Sequence, residues 1–267
     1  MDKIGLIAGS SRFPINVAIA ARKRGVSVYA VALKEETHPE LEAAVDKICW
    51  ISIGELGKAV DFLKENHIKR AVMAGKVRLS HIYSKSVKPD GYLKNLLTKA
   101  VDKRGDTLLM AVANFLDKIG VRLLDCALFL KDDIVKKGAL TKIRPTKEQL
   151  ADIEFAKPIV KAVAQLRIGQ TIVVKDKAVL AVEAMEGTDE AVRRGSCIAG
   201  EGAVIVKMSS PKHDMRFDIP LIGPSTIKTM IQVNAKTLAL EAGRTLLIDK
   251  EELIKLADAA DICVVGI

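Results

Sequence analysis

The sequence predicts an α/β protein of two domains, the first built on a parallel sheet and the second on a mixed sheet. Apolar runs alternate with amphipathic segments between residues 3 and 75, a pattern typical of strands joined by helices. Two apolar runs separated by a short polar turn follow near residue 175, as expected of a hairpin. The length of 267 residues also exceeds that of most single cores.

The first 33 residues have the pattern of a strand, a helix and a second strand. The run KIGLIAG ends in a Gly/Ser loop, the helix PINVAIAARKRG is opened by Pro14 and closed by Gly25, and VSVYAVAL is the next apolar run. A helix (GELGKAVDFLKENH) and a third strand ending at Gly75 follow. This alternation predicts a Rossmann-like domain whose parallel sheet is covered on both faces.

Helical periodicity continues from 93 to 120 with one break, so that Asp106 is expected to cap the second of two helices. Charged residues and prolines, among them Pro158, then interrupt the alternation. We expect the domain boundary near residues 130–136. It divides the chain into an N-terminal Rossmann-like domain (1–133) and a C-terminal α/β domain (134–267).

The second domain begins antiparallel, since GQTIVVKDKAVLAVEAMEG consists of two apolar runs around a KDK turn. A short helix (TDEAVRR), a strand (GAVIVKM) and a helix from about Pro224 to Ala242 are expected next. The chain then continues as strand (RTLLID), helix (EELIKLADAAD) and strand (ICVVGI). This order predicts a mixed α/β domain.

Composition limits the partners of the chain. The net charge of +9 suits nucleic acid, an anionic membrane surface or a phosphorylated substrate, although a lysine-rich surface explains it equally well. Three Tyr, one Trp and six Phe leave little for base stacking, and we therefore expect no nucleic-acid partner. The four cysteines form no CxxC pair and no apolar run reaches membrane-spanning length, which favours a cytoplasmic protein with reduced thiols.

The loop GLIAGSSRFP lies where a strand meets a helix N-terminus, a place that favours an anion such as a nucleotide phosphate. Ser10 and Ser11 could donate hydroxyl hydrogen bonds there, and Lys76 would reach the same crevice. The alternatives are a capped helix start that binds nothing and a solvated lysine. A dinucleotide fingerprint is absent, because Ser-Ser-Arg follows Gly9, so we expect neither nicotinamide nor flavin.

Glu183 falls inside the apolar strand VLAVEAM, where an unpaired carboxylate would be costly. A buried ion pair is one explanation, and a metal ligand or catalytic acid is the other. Thr188 or Asp189 is expected to cap the helix that follows.

The segment KMSSPKHDMRFDIPLIG places Asp214, Arg216 and Asp218 in alternation, so that an extended chain would point all three the same way. Two carboxylates beside Arg and Lys suit one divalent cation next to phosphate oxygens. The alternative is an exposed edge strand whose charges neutralise one another.

With these segments the chain resembles the UDP-2,3-diacylglucosamine diphosphatases of the lipid A pathway, the type unrelated to calcineurin-like phosphoesterases. The matching motifs are GLIAGSSRFP, GDTLLMAV, IGQTIVV, VLAVEAMEGTDEAVRR, KMSSPKHDMRFDIPLIG and EAGRTLLID. The resemblance implies that water attacks the α-phosphorus to give UMP and 2,3-diacylglucosamine 1-phosphate. It also implies a divalent cation such as Mg²⁺ and an essential Asp218. His213 and the GSS loop depart from the family pattern.

The residues themselves suggest Asp218 and Asp214 as catalytic carboxylates and, together with Glu183, as metal ligands, while Lys212 and Arg216 would offset charge that develops on the phosphates. Because Ser10, Ser11 and Lys76 belong to the other domain, we expect the substrate between the domains of a cytoplasmic protein; peripheral contact with the inner-membrane surface and a homodimer are compatible with this. Two other functions stay open: a nucleotide-binding oxidoreductase, and a non-catalytic relative that binds a nucleotide-sugar or lipid. The substrate-binding residues implied are Ser10, Ser11, Lys76, Asp106, Gln170, Thr188 and Asp189.

Overall fold

The chain forms two compact units. A computed structural model describes residues 2–78, 81, 87–99, 105–210, 214, 216 and 219–267, without the side chains of 99, 105 and 106. Among these residues, 2–130 and 216 belong to the first unit, and 131–214 and 219–267 belong to the second.

The first unit is built on a parallel sheet, as the sequence predicts for its N-terminal domain. In the described part of the unit the strand order is β3-β2-β1-β4-β5, the Rossmann-like order that places β1 at the centre. The strands are β1 (Lys3–Ala8), β2 (Ser27–Leu33), β3 (Lys47–Ile51), β4 (Arg70–Ala74) and β5 (Arg122–Leu123).

Helices connect these strands and cover the sheet. Helix α1 carries Pro14 in its second position rather than its first, and Gly25 ends it with φ +72°. Leu63 and Leu116, on two other helices, pack with Val31 and Ile51 of the sheet in one buried cluster. The helices are α1 (Phe13–Lys23), α2 (Leu41–Ala44), α3 (Leu56–Glu65), α4 (Gly91–Lys99) and α5 (Gly105–Lys118). Because α5 already includes Gly105, the prediction that Asp106 caps this helix is wrong.

The ends of β1 and β4 are tied together. The backbone N–H of Gly9 donates to the carbonyl of Ala74 at 2.8 Å, and that of Ser10 donates to the carbonyl of Lys76 at 2.8 Å. Gly75 has φ +90°, and a Cβ added there would lie 2.3 Å from the Ser10 carbonyl oxygen. Only glycine therefore allows these two segments of the backbone to approach so closely.

The second unit contains a mixed sheet that begins with the predicted hairpin. Among its described residues the strand order is β6-β13-β11-β9-β7-β8, and a separate pair of short parallel strands joins β10 to β12. Strands β7 and β8 are antiparallel, and β6 pairs antiparallel with β13. The strands are β6 (Gly138–Ala139), β7 (Thr171–Lys175), β8 (Ala178–Val182), β9 (Val204–Lys207), β10 (Leu221–Ile222), β11 (Thr237–Leu240), β12 (Leu246–Leu247) and β13 (Cys263–Gly266).

Both faces of this sheet are buried, which explains why its central strands are mostly apolar. In β9, Val204 and Val206 pack with one helix, whereas Ile205 packs with the helices on the opposite face. The first face is covered by α6 (Lys147–Gln165), and the second by α7 (Thr188–Ala199), α8 (Pro224–Gln232) and α9 (Lys250–Ala259).

Two features of the second unit differ from the prediction. Helix α6 runs through Pro158 and begins at a capping box formed by Thr146 and Gln149, although the sequence treats this proline as an interruption. The helix predicted from Pro224 to Ala242 ends at Gln232, because Asn234 adopts φ +53° and the chain then enters strand β11. Leucine and alanine favour a helix, but pairing with β9 and β13 determines the strand.

No helix within the described ranges is both long and apolar enough to cross a membrane.

Replacing Gly75 by alanine should lower the free energy of unfolding by about 2 kcal/mol, because the new Cβ meets backbone and the positive φ is strained. Urea unfolding of the purified protein measures the loss. Gly91→Ala is the matched control, since a Cβ added at Gly91 would have no heavy atom within 4 Å. Equal stability of the two variants would contradict this account of the tie between β1 and β4.

Candidate functional site

One edge of the second unit's sheet gathers polar side chains from four strands. Strands β9 and β11 are parallel, β7 is antiparallel to β9, and β8 is antiparallel to β7. The carboxyl ends of β8, β9 and β11 therefore meet the amino end of β7. We call this the carboxyl edge, and it carries Thr171, Glu183, Lys207 and Glu241. In open α/β sheets, ligands bind outside this edge.

A buried ion pair lies at the centre of the carboxyl edge. The Lys207 Nζ is 4.0 Å from the Glu183 Oε2, and only 6% and 11% of the two side chains are exposed. The ammonium also donates to the Thr188 hydroxyl at 2.8 Å and to the Thr171 hydroxyl at 3.4 Å. The Thr188 hydroxyl in turn donates a hydrogen bond to the Glu183 Oε1 at 2.9 Å.

Both carboxylate oxygens of Glu183 accept hydrogen bonds. The second oxygen, Oε2, accepts from the backbone N–H of Gln170 at 3.2 Å. Of the two alternatives that the sequence leaves open, the described contacts correspond to the buried ion pair. A cation bound at Glu183 would lie beside the Lys207 ammonium, which disfavours it by like-charge repulsion. No described contact tests whether Glu183 binds a metal, so that role stays a prediction.

The start of α7 is fixed by contacts of its first two residues. Its N-cap is Gly187, with φ +88° and no side-chain cap in the described part of the chain. The predicted capping by Thr188 or Asp189 is wrong, because Thr188 already lies in the helix and its hydroxyl bonds to Glu183. The Asp189 Oδ1 accepts instead from the Thr226 hydroxyl at 2.7 Å, and this bond joins the first turns of α7 and α8.

Gln170 reaches the carboxyl edge through its backbone. Besides its N–H bond to Glu183, its carbonyl accepts from the Met208 N–H at 2.9 Å. The preceding Gly169 is required by close approach, since a Cβ there would lie 2.0 Å from the Glu183 carbonyl oxygen. Whether Gln170, Thr188 and Asp189 bind substrate stays a prediction.

The acidic segment is described only at Asp214 and Arg216; Lys212, His213 and Asp218 lie outside the described residues. Asp214 is half-buried in the second unit. Arg216 lies in a turn, so the alternation expected of an extended strand does not hold at this residue.

Arg216 contributes to a cavity of about 380 Å³ in the first unit. Its guanidinium lies 3.8 Å from the Met110 Sδ. Asp117, Gly120, Arg122 and Leu123 line the rest of the cavity. Its lining thus includes two arginines and one aspartate.

Ser10, Ser11 and Lys76 lie at the end of β1 and β4 in the first unit. The Ser10 hydroxyl donates to the Lys76 carbonyl at 2.9 Å, and the Ser11 hydroxyl accepts from the Phe13 N–H at 3.3 Å. The Lys76 side chain is exposed. Asp106 is within α5, but its side chain is outside the described part. Substrate binding by these four residues stays a prediction.

Lys207, Thr171 and Glu241 are the members of the carboxyl edge that the sequence prediction does not include. Lys207 and Glu183 are each a charged residue in an otherwise apolar run, which indicates that each is buried and needs a partner. The pairing becomes evident only when the strand order is known. Within the described ranges, no three His, Cys, Asp or Glu side chains lie together as a metal centre would require.

Sequence comparisons match both halves of the chain. Residues 3–132 match the model of the LpxI N-terminal domain, and residues 136–265 match that of the LpxI C-terminal domain. The UDP-2,3-diacylglucosamine pyrophosphatase LpxI of Caulobacter vibrioides is 32% identical over 278 residues, which cover 100% of this chain and 98% of the relative.

Two of the solved structures that this chain resembles are distant from it. Phosphoribosylglycinamide synthetase from Anaerococcus prevotii matches at 12% identity and a TM-score of 0.26, over 72% of this chain and 34% of that one. N5-carboxyaminoimidazole ribonucleotide synthetase from Thermotoga maritima matches at 15% identity and a TM-score of 0.24, over 70% and 42%. This chain thus covers less than half of each of these two proteins, and TM-scores this low do not establish a shared fold.

Replacing Lys207 by methionine should lower the free energy of unfolding by about 3 kcal/mol, because Glu183 then stays buried without its cation. The double variant Lys207→Met/Glu183→Gln should recover much of that loss, since neither charge is then buried. Urea unfolding of both variants measures this interaction energy.

The exposed pair formed by Lys228 and Glu252 is the matched control. Its atoms are 3.2 Å apart, but 58% and 53% of its side chains are exposed. Lys228→Met should cost less than about 1 kcal/mol. A similar cost for Lys207→Met, or no recovery in the double variant, would contradict the buried pair.

Proposed function

Since the chain belongs to the LpxI family, we propose that it hydrolyses the pyrophosphate bond of UDP-2,3-diacylglucosamine. The observation that carries this proposal is the match to the Caulobacter vibrioides pyrophosphatase, which extends over the whole chain. The products are UMP and 2,3-diacylglucosamine 1-phosphate, and the reaction belongs to lipid A biosynthesis. Family membership favours this hydrolysis over the oxidoreductase that the sequence leaves open.

The proposed reaction is a displacement at the α-phosphorus. The oxygen of water forms a bond to that phosphorus, and the bond from phosphorus to the bridging oxygen breaks. The bridging oxygen leaves with the sugar phosphate, and a carboxylate accepts the proton lost by water. We assign Asp218 to orient or deprotonate the water, with Asp214 beside it in sequence.

Basic side chains would offset the negative charge that develops on the phosphates. In sequence, Lys212 precedes Asp214 and Arg216 lies between the two carboxylates. Arg216 also lines a cavity together with Arg122 and Asp117. The pairing of Lys207 with Glu183 leaves that ammonium engaged inside the sheet edge. We therefore assign Lys207 no direct contact with substrate.

A divalent cation suits a pyrophosphatase, and Mg²⁺ is the proposed one. The described donors do not complete a site for it, because Glu183 is already engaged by Lys207, Thr188 and Gln170. Asp214 and Asp218 are the residues proposed to hold the ion. When bound, it would neutralise charge on the phosphate oxygens. The substrate position between the domains, contact with the membrane surface and a homodimer stay predictions.

Purified protein incubated with UDP-2,3-diacylglucosamine and Mg²⁺ should release UMP. In water labelled with ¹⁸O, mass spectrometry should find the label in UMP, because attack occurs at the α-phosphorus. The variant Asp218→Asn should lose at least about 99% of this activity, since the group that orients or deprotonates water is gone.

Asp61→Asn is the control, because Asp61 is an exposed carboxylate on α3. It should retain wild-type activity. Label in the sugar phosphate would overturn the direction of attack, and full turnover by Asp218→Asn would overturn the assigned residue. Absence of UMP from the wild type would overturn the substrate.

A further inference from the structure

We propose that Glu241 is a positioning residue that fixes the start of the acidic segment, from which the chain runs to Asp214 and Asp218. The proposal rests on the function proposed above for these two carboxylates. Glu241 itself has no role in binding or catalysis in that function. It acts through the backbone that leaves β9.

Glu241 holds Ser209 at two points. Its Oε2 accepts from the Ser209 backbone N–H at 2.7 Å and from the Ser209 hydroxyl at 2.5 Å. Ser209 is only 2% exposed, so both donors are shielded from water. Hydrogen bonds to an ionised acceptor are about twice as strong as neutral ones, and two of them on one residue fix its orientation.

The position of Glu241 follows from the sheet. Leu240 pairs with Lys207 at the ends of the parallel strands β11 and β9, and the Glu241 N–H donates to the Lys207 carbonyl at 3.1 Å. The residue that follows β11 is therefore adjacent to the residues that follow β9. A carboxylate at this place can reach Ser209 without any distortion of the strands.

The same stretch of chain makes a second contact at the start of the acidic segment, through Ser210, and also holds its far end, through Pro220. The Arg244 guanidinium donates to the Ser210 carbonyl at 3.3 Å, and the Leu246 N–H donates to the Pro220 carbonyl at 2.9 Å. Pairing of β10 with β12 continues this contact. Residues 241–247 thus bind the chain on both sides of the segment that carries Asp214 and Asp218.

Both sides of the acidic segment are attached to residues 241–247. We therefore expect that loosening these attachments would displace the carboxylates proposed for catalysis. The two bonds from Ser209 to Glu241 are charge-assisted and lie at the start of this segment. Their loss would leave the strands intact but release the chain after β9. A small displacement of a catalytic group lowers the rate of the chemical step more than it lowers substrate affinity.

The test compares Glu241→Ala, Glu241→Gln and Ser209→Ala with the wild type. Amide hydrogen exchange at Ser209 should be at least about tenfold faster in Glu241→Ala, since its N–H loses a charged acceptor. Exchange in Glu241→Gln should increase by only about threefold, because the amide oxygen still accepts. In the UMP assay, kcat of Glu241→Ala should fall by about tenfold, with KM within about twofold.

Glu251→Ala is the matched control, because Glu251 is an exposed glutamate in the first turn of α9. It should change neither exchange nor kcat. Thermal unfolding shows which variants are folded; if Glu241→Ala is not, Glu241→Gln and Ser209→Ala carry the comparison.

Unchanged exchange at Ser209 in the folded variants would overturn the proposal. Faster exchange with unchanged kcat would also overturn it, because the segment would then need no such anchor. A wild type that releases no UMP contradicts the proposed function instead, and Ser209 exchange still decides whether Glu241 fixes this segment.

Discussion

The buried contact between Lys207 and Glu183 determines how the carboxyl edge of the second unit is arranged. It connects β9 to the end of β8 and, through the Thr188 hydroxyl, to the first residue of α7. Two charges removed from water are tolerated only while their partners stay in place. A shift of α7 would remove the Thr188 hydroxyl and with it one hydrogen-bond partner of each charged group. Apolar side chains at these positions would allow several packings, whereas this network allows one.

Parallel pairing makes this arrangement possible. It brings together residues that are far apart in sequence, because strands that run the same way end at the same edge. The pair formed by β9 and β11 also explains why Glu241 reaches Ser209. The network at Lys207 and the contact at Glu241 thus lie on opposite sides of β9. Contacts on both sides thus hold the end of β9 and Ser209, where the chain leaves the sheet.

Alternating apolar runs predict much of the local structure here, whereas helix caps and strands that depend on pairing between distant segments are predicted less well. The Rossmann-like start and the hairpin follow from alternating apolar runs, and the burial of Glu183 follows from its place in such a run. The sequence does not predict strand β11, because Leu238 and Leu240 suit a helix equally well. Pairing with β9 and β13 determines the strand. Lys207 could not be assigned as the partner of Glu183, because a sequence does not give the strand order.

The place of β6 beside β13 in the second unit's sheet also bears on the order in which the sheet folds. Ala139, near the beginning of the unit in chain order, pairs with Val265 near its end, and β13 lies between β6 and β11. The sheet cannot be completed until these two ends have met, and the entropy lost on closing so long a loop is not repaid by local contacts. The hairpin of β7 and β8 needs no such closure. We therefore infer that the hairpin of β7 and β8 forms early and that the pairing of β6 with β13 forms late.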